Sequence, residues 1–280
     1  MKKLIANLLY FTGISYVLFR WTLKSNSIRA INYHCTPQVY SKNFCKQLAF
    51  YKRYFEDVNL EKLDDYFENL SVKRTKPGLI ITFDDGLRSN FDYAVPFLEN
   101  YGFTGWFFIP TGFISQNDSD NANNYSINLK QYYLDNRYCF NLEELDHIKT
   151  EHIVGCHTYS HHRFSNLDKK FILDYEIKEA KEDLEKLFNG CFIEVFAWVG
   201  GELNSYTYSA YNKIIDSGFK YAFTTNNYTI HPESDKFNLN RTNIESYDSM
   251  PLVLFQLSGL MDLFYFKKRR KIVKIFNGDT

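Results

Sequence analysis

At 280 residues, 45% hydrophobic and 18% aromatic, the chain is long and apolar enough to bury one large core, which excludes a disordered protein. Its 33 basic and 33 acidic residues cancel, so it lacks the basic footprint of a nucleic-acid binder, and no nucleic-acid partner is expected. The five cysteines, Cys35, Cys45, Cys139, Cys156 and Cys191, are odd in number and show no CxxC spacing, which argues against a disulfide framework and leans toward a reducing compartment.

Residues 4–24 form an apolar and aromatic stretch preceded by Lys2-Lys3 and interrupted by Asn7, Thr12, Gly13 and Ser15. It has no clear small-x-small cleavage site and is short and polar for a membrane-spanning helix. Residues 1–27 therefore read as an amphipathic helix lying on a membrane surface. A strand is expected over 28–34, then helices around 41–54 and 60–70. Asp64 and Asp65, in the second of these helices, follow no strand and read as a solvated face.

Ile80-Ile81-Thr82-Phe83-Asp84-Asp85-Gly86 is an apolar run, expected to be a buried strand, that ends in two carboxylates and a glycine. Adjacent strand residues point to opposite faces, so Asp84 and Asp85 reach one site only where Gly86 breaks the strand. Two carboxylates at a strand end repel unless a cation or a shared proton relieves them. The Asn- and Ser-rich residues 115–128 read as a long loop near the mouth of a site. Downstream, Val154 to His162 holds three of the seven histidines. His157 and His161 are four apart, a spacing that puts two imidazoles on one face of a helical turn within reach of one divalent ion. Cys156 beside them reads as a small buried residue at a strand end.

Residues 168–187 carry i, i+4 charge pairs with apolar positions between, a surface helix. The alternation of strands and helices predicts an α/β layer or barrel. Over 253–275 the chain passes from Phe255, Leu257, Leu260, Phe264 and Phe266 to five consecutive bases, Lys267 to Lys271. Residues 263–280 read as a basic tail that, with residues 1–27, touches an anionic membrane surface. The cytoplasmic face is favoured over a periplasmic or cell-surface location.

Thr82-Phe83-Asp84-Asp85-Gly86 resembles the TFDDG motif of the polysaccharide deacetylase, or NodB-like, family (carbohydrate esterase family four). His157-Thr158-Tyr159-Ser160-His161 resembles its H-[ST]-x-x-[HS] motif, and Phe196-Ala197-Trp198-Val199-Gly200-Gly201 is similar to its FAYPYG segment. The resemblance covers roughly residues 28–260. Val199 and Gly200 stand where that segment has Pro and Tyr, the Arg many members carry in that third motif is missing, and Leu239-Asn240-Arg241 replaces a late Leu-x-His. Ala30-Ile31-Asn32-Tyr33-His34 resembles the early Tyr-His strand end of the branch that deacetylates poly-N-acetylglucosamine.

The resemblance implies a distorted (β/α) barrel of about seven strands over 28–262, acting as a metal-dependent N-deacetylase on a bacterial polysaccharide or lipid-linked glycan. It implies that Asp85, His157 and His161 hold a divalent metal, taken as zinc, that Asp84 is the general base, and that His34 is the general acid with His231 as fallback. Arg241 would orient Asp84, and Gly200 and Trp198 would meet the oxyanion or substrate. An O-acetyl or xylan-type esterase and a catalytically silent glycan-binding or assembly protein on the same fold remain the rivals.

Overall fold

The computed structural model describes residues 2–68, 74–114 and 139–279, so the loop expected at 115–128 lies outside the described residues. The apolar runs of the sequence become strands β1 (Ile28–Tyr33), β2 (Glu56–Asp57), β3 (Gly78–Phe83), β4 (Gly105–Ile109), β5 (Ile153–Cys156), β6 (Val195–Ala197), β7 (Tyr221–Thr224), β8 (Thr229–Ile230) and β9 (Leu239–Asn243). They lie in the order β2-β3-β4-β5-β6-β7-β9-β1-β8, and an additional β3–β1 pairing closes β1, β3, β4, β5, β6, β7 and β9 into a barrel. Its seven strands are parallel, with helices outside, as expected. The two-residue β2 extends from β3, and β8 runs antiparallel against the start of β1.

Every residue of β1 and β3 is buried, as required of parallel strands covered on both faces. Alternation divides their side chains into two cores. Ala30, Ile80, Trp106, Phe108 and Phe223 pack in one; Ile31, Ile81, Phe83 and Phe107 pack in the other, with the surrounding helices. Asn32, Thr82 and Asp84 share the parity of Ala30 and Ile80 and so point inward. The β1–β3 register, Ile28↔Gly78 through Tyr33↔Phe83, brings His34 and Asp84 to the same end of neighbouring strands. Much of the aromatic excess is core: Phe83 stacks on Phe107 at 4.9 Å between ring centroids.

The termini differ from expectation. The single N-terminal helix is two, Lys2–Phe11 and Ile14–Thr22, bent by 91°. Gly13 at the joint takes φ 73°, which glycine adopts without penalty. Phe19 of the second helix is fully buried among Phe50, Tyr54 and Phe55. The C-terminal segment is likewise two helices, Met250–Leu257 and Leu260–Phe276, parted at Gly259 with φ 82°. Residues 263–276 are therefore not a tail. Phe276 stacks on Trp198 at 5.1 Å and on Tyr211 at 4.5 Å, and Ile272 is buried.

Phe276→Ala should thus destabilise the protein by about 3–5 kcal/mol, the range for emptying a buried aromatic site, as measured by urea unfolding. A change within ~0.5 kcal/mol, typical of surface substitutions, would mean the helix end is not docked.

Candidate active site

The site lies where the barrel strands end at their C-termini, the face on which parallel barrels collect functional side chains. After Phe83 the chain turns through two left-handed residues, Asp85 at φ 72° and Gly86 at φ 63°. A non-glycine residue there costs about 1–3 kcal/mol, and the turn separates the two acids. Asp84 keeps the inward direction of Thr82, while Asp85 faces the histidines.

Arg241, fully buried on β9, grips Asp84 with a two-pronged contact: Nη1 donates to Oδ1 at 2.7 Å and Nη2 to Oδ2 at 2.9 Å. Nη1 also donates to Asn32 Oδ1 at 3.1 Å and to Thr82 Oγ1 at 3.0 Å, and Nε to the Thr224 carbonyl at 3.4 Å. Burial alone would raise the Asp84 pKa; the Arg241 charge reverses this and holds it below the usual carboxylate value. Arg241 stands on a different strand from the third motif, where many family members carry their arginine.

Asp85 Oδ1 lies 3.1 Å from His161 Nε2 and 3.6 Å from His157 Nε2. The three donor atoms lie within 4.8 Å of one another. His157 Nδ1 donates to the Ala197 carbonyl at 2.8 Å, a group that only accepts, so Nε2 is left with a lone pair toward Asp85. Burial lowers the His157 pKa to about 4 against the pull of Asp84, so this imidazole is neutral at pH 7. Burial likewise opposes the Asp85 charge, but the His161 contact outweighs it and the pKa falls. Asp85 Oδ1 is buried and makes no well-formed hydrogen bond despite two imidazole neighbours. One imidazole with its lone pair turned to the site, a second imidazole nitrogen within 4.8 Å and a buried carboxylate oxygen without a well-formed hydrogen bond are a donor set that fits a divalent cation.

The two histidines do not share a helical turn. Residues after β5 form an irregular loop in which Thr158 (φ 66°) and His161 (φ 58°) are left-handed. Glu176, from the helical segment behind, shapes this loop by accepting from the backbone N–H of Tyr159 at 3.0 Å and Ser160 at 2.9 Å, and from Ser160 Oγ at 2.6 Å. Glu176 reads in sequence as one of several acids on a surface helix, and only its burial sets it apart.

His34 Nδ1 lies 2.7 Å from Glu245 Oε1. Burial works against its charge, but Glu245, with Asp85 and Asp84 beyond, raises the pKa to about 10. Glu245 carried no sequence signal, since an acid in the polar turn after β9 resembles many others. Asp248 fixes that turn by accepting the Glu245 N–H at 3.0 Å. His231 is remote from this group. It follows β8, whose Ile230 pairs with Ile28 at the opposite end of β1, and its Nε2 meets Thr229 Oγ1 at 2.8 Å. Trp198, 1% exposed and stacked on Phe276, points into the packed interior instead of a substrate groove. Gly200 follows β6 in a left-handed turn at φ 78°, with its carbonyl accepting from Thr225 Oγ1 at 3.3 Å. Cys156 is fully buried and its thiol pKa is pushed up to about 12 by burial, as fits a packing residue.

A closed parallel barrel with an Asp-Asp turn and two histidines at one end defines a recognisable class of hydrolase. The family model for polysaccharide deacetylase matches residues 71–218, just over half of the sequence, and the chain belongs to that family, whose members hydrolyse acetyl groups from glycans. No curated protein matches the sequence. Among solved structures, the Streptococcus pyogenes deacetylase PplD is similar at a TM-score of 0.64 and 18% identity, covering 84% of this chain and 99% of its own. IcaB from Ammonifex degensii gives 0.62 and 17%, over 84% and 98% of the two chains. A de-N-acetylase from Aggregatibacter actinomycetemcomitans gives 0.65 and 12%, over 82% and 99%.

The Asp84–Arg241 pair makes a stability prediction. A carboxyl whose pKa is lower folded than unfolded stabilises the fold above the unfolded value of ~3.9, and that contribution is lost as pH falls through the folded value. Arg241→Met leaves a buried charge unpaired and should cost about 3–5 kcal/mol at pH 7. Asp84 in the variant takes up a proton more readily, so the deficit should shrink as pH is lowered toward ~4. Urea unfolding across that range measures it; a pH-independent deficit would assign the loss to packing.

Proposed function

We propose that the protein is a divalent-metal-dependent N-deacetylase acting on an N-acetylated sugar of a bacterial polysaccharide or lipid-linked glycan. The observation that carries this reading is the division of labour at the barrel end: Asp85 faces two imidazoles while Arg241 occupies both oxygens of Asp84. Asp85, His157 and His161 would hold the ion. One carboxylate and two imidazoles with further positions open is a donor set suited to catalytic zinc. Bound there, the cation supplies an acidified water and polarises the acetyl carbonyl.

Asp84, held ionised by Arg241, takes the proton from the attacking water at a carboxylate oxygen. The backbone N–H of Gly200, in its left-handed turn after β6, is the candidate donor to the oxyanion. As the C–N bond breaks, His34 gives its proton to the leaving amine nitrogen, producing acetate and the free amino sugar. Glu245 keeps His34 protonated until that moment. An amine is a poor leaving group without a proton, so a residue held as imidazolium favours amide over ester hydrolysis. Acetate release from a panel of polymeric, oligomeric and lipid-linked N-acetylhexosamines and O-acetyl xylan, with and without chelator, tests the substrate class.

The metal assignment predicts that chelation abolishes acetate release, and that His157→Ala and His161→Ala each lose the ion by elemental analysis. Asp84→Asn should keep it while turnover falls by about 10²–10⁴. Stoichiometric metal in the double histidine variant would overturn the ligand set, and equal metal loss in Asp84→Asn and Asp85→Asn would overturn the division between them.

The acid assignment predicts that His34→Ala lowers turnover on amides but spares an activated aryl acetate, whose leaving group needs no proton. Because Glu245 raises the His34 pKa, activity should persist as pH rises until the imidazolium is lost. Glu245→Gln should therefore move the alkaline limb of the pH–rate profile downward, toward the ordinary histidine value of ~6.5. An unshifted limb would mean that another group donates the proton.

A further inference from the structure

Charge is unevenly distributed in this neutral chain. Residues 2–24 carry Lys2, Lys3, Arg20 and Lys24 with no acid, and residues 263–276 carry six bases with no acid. The two segments thus hold ten of the 33 bases and leave the remainder with 23 bases against 33 acids, a net charge of −10. The first helix packs on the chain that leads into the second segment: Ala6 and Leu9 meet Leu252, Phe255, Leu260 and Met261.

Both segments also turn apolar side chains to solvent. In the first helix Ala6 and Leu9 face the protein, while Leu4, Leu8 and Phe11, spaced i, i+4, i+7, form a stripe on the opposite side, with Phe11 81% exposed. In the second helix Phe19 faces the core, and Ile14, Val17 and Trp21 form another exposed stripe, with Trp21 78% exposed. Leu263, Phe264 and Phe266 are exposed at the start of the last helix, one turn before Lys267, Arg270 and Lys271. On the same helix as Trp21, Arg20 lines a cavity of about 570 Å³ with Arg53, Lys76, Tyr16 and Tyr54 among others, and no carboxylate is among its described lining residues. Arg20 and Arg53 lie over the Tyr54 ring, at 5.8 and 5.4 Å from its centroid. Among the described residues, no side-chain ion pair neutralises these three cations.

We propose that the bent N-terminal helix pair and the adjoining C-terminal helix are a docking face for an anionic lipid bilayer. The apolar stripes enter the acyl boundary, the flanking bases meet the surface charge, and the Arg20–Arg53–Lys76 cavity receives a lipid phosphate. No single helix among the described residues is long and apolar enough to cross a membrane; the N-terminal pair has the length and composition only if taken together, but it is bent by 91° and each of its helices keeps one side packed on the protein, which leaves the other side for an interface. Charge selects a bilayer over a second copy of this chain, because a copy would bring the same positive face against its own. The face adjoins the acid side of the site: the first helix packs on Leu252 and Phe255 of the helix Met250–Leu257, which follows directly on the turn where Asp248 accepts the Glu245 N–H. Docking itself does not depend on the deacetylase reading; the further step, that the substrate is an N-acetyl sugar carried on a membrane lipid, does rest on it.

The test uses the full chain and vesicles of phosphatidylcholine with or without phosphatidylglycerol. Trp106 and Trp198 are buried and Trp21 is the third of three tryptophans, so a blue shift of emission on vesicle addition reports Trp21. The expected result is co-sedimentation with anionic vesicles at low salt, reversed by high salt, with a blue shift that Trp21→Phe abolishes. Lys267→Gln and Arg20→Gln should each weaken partitioning by about five-fold, and Leu8→Glu with Phe11→Glu should abolish it. All four should leave thermal unfolding and acetate release from a soluble oligosaccharide unchanged. Equal binding to neutral and anionic vesicles, no binding at low salt, or a concentration-dependent dimer that buries Trp21 without vesicles would each overturn the proposal. Loss of catalysis in His157→Ala with vesicle binding intact would separate failure of one reading from failure of the other.

Discussion

Arg241 inside the barrel is the constraint on which the site depends. A guanidinium at zero exposure must be paired, and its partner here is Asp84, gripped by two nitrogens, with Asn32, Thr82 and the Thr224 carbonyl taking further donors. Those acceptors come from β1, β3 and β7, so one side chain ties four strands together at the functional end. A buried pair of this kind gains little net stability, because desolvation offsets much of the attraction. What it provides is direction: with both oxygens of Asp84 engaged, Asp85 is the acid that faces His157 and His161.

The same division of tasks repeats around the rim. Each candidate site group is held by a neighbour that does not itself face the cluster: Ala197 O sets the His157 tautomer, Glu176 shapes the loop that delivers His161, and Glu245 meets the His34 ring. Orienting partners of this kind fix ring direction and protonation before any ligand arrives. The barrel supplies them because every strand ends at the same face, so residues as far apart in sequence as His34 and Glu245, 211 positions, become neighbours there.

The terminal helices obey a different logic. Their inner faces are packing surfaces, as the burial of Phe19, Ile272 and Phe276 shows, and their outer faces are apolar and basic. Counting charge over the whole chain hides this, because the excess of bases at the ends is offset by an excess of acids elsewhere. Glycines at positions 13 and 259, both left-handed, fold the segments back so that each can have an inner and an outer side.

Much of the fold was legible in the residues alone, as were the acids and histidines that the structure brings together in the candidate site. Buried parallel strands write themselves as continuous apolar runs, as at 80–83 and 105–109, and a strand break between paired acids is a local event that Gly86 announces. The Asp-Asp turn and the paired histidines therefore stood out, as did the barrel they imply. The spacing of His157 and His161 nevertheless suggested a helical turn, whereas the chain forms a left-handed loop, because Glu176 supplies from outside the hydrogen bonds that a helix would have made within. Glu245, Glu176 and the inward burial of Trp198 carried no local mark: each owes its setting to a partner far along the chain. Sequence by itself determined which residues could do chemistry and that strands would carry them. Only the tertiary structure decided which acid meets which base, because register and barrel closure set those distances and no periodicity records them.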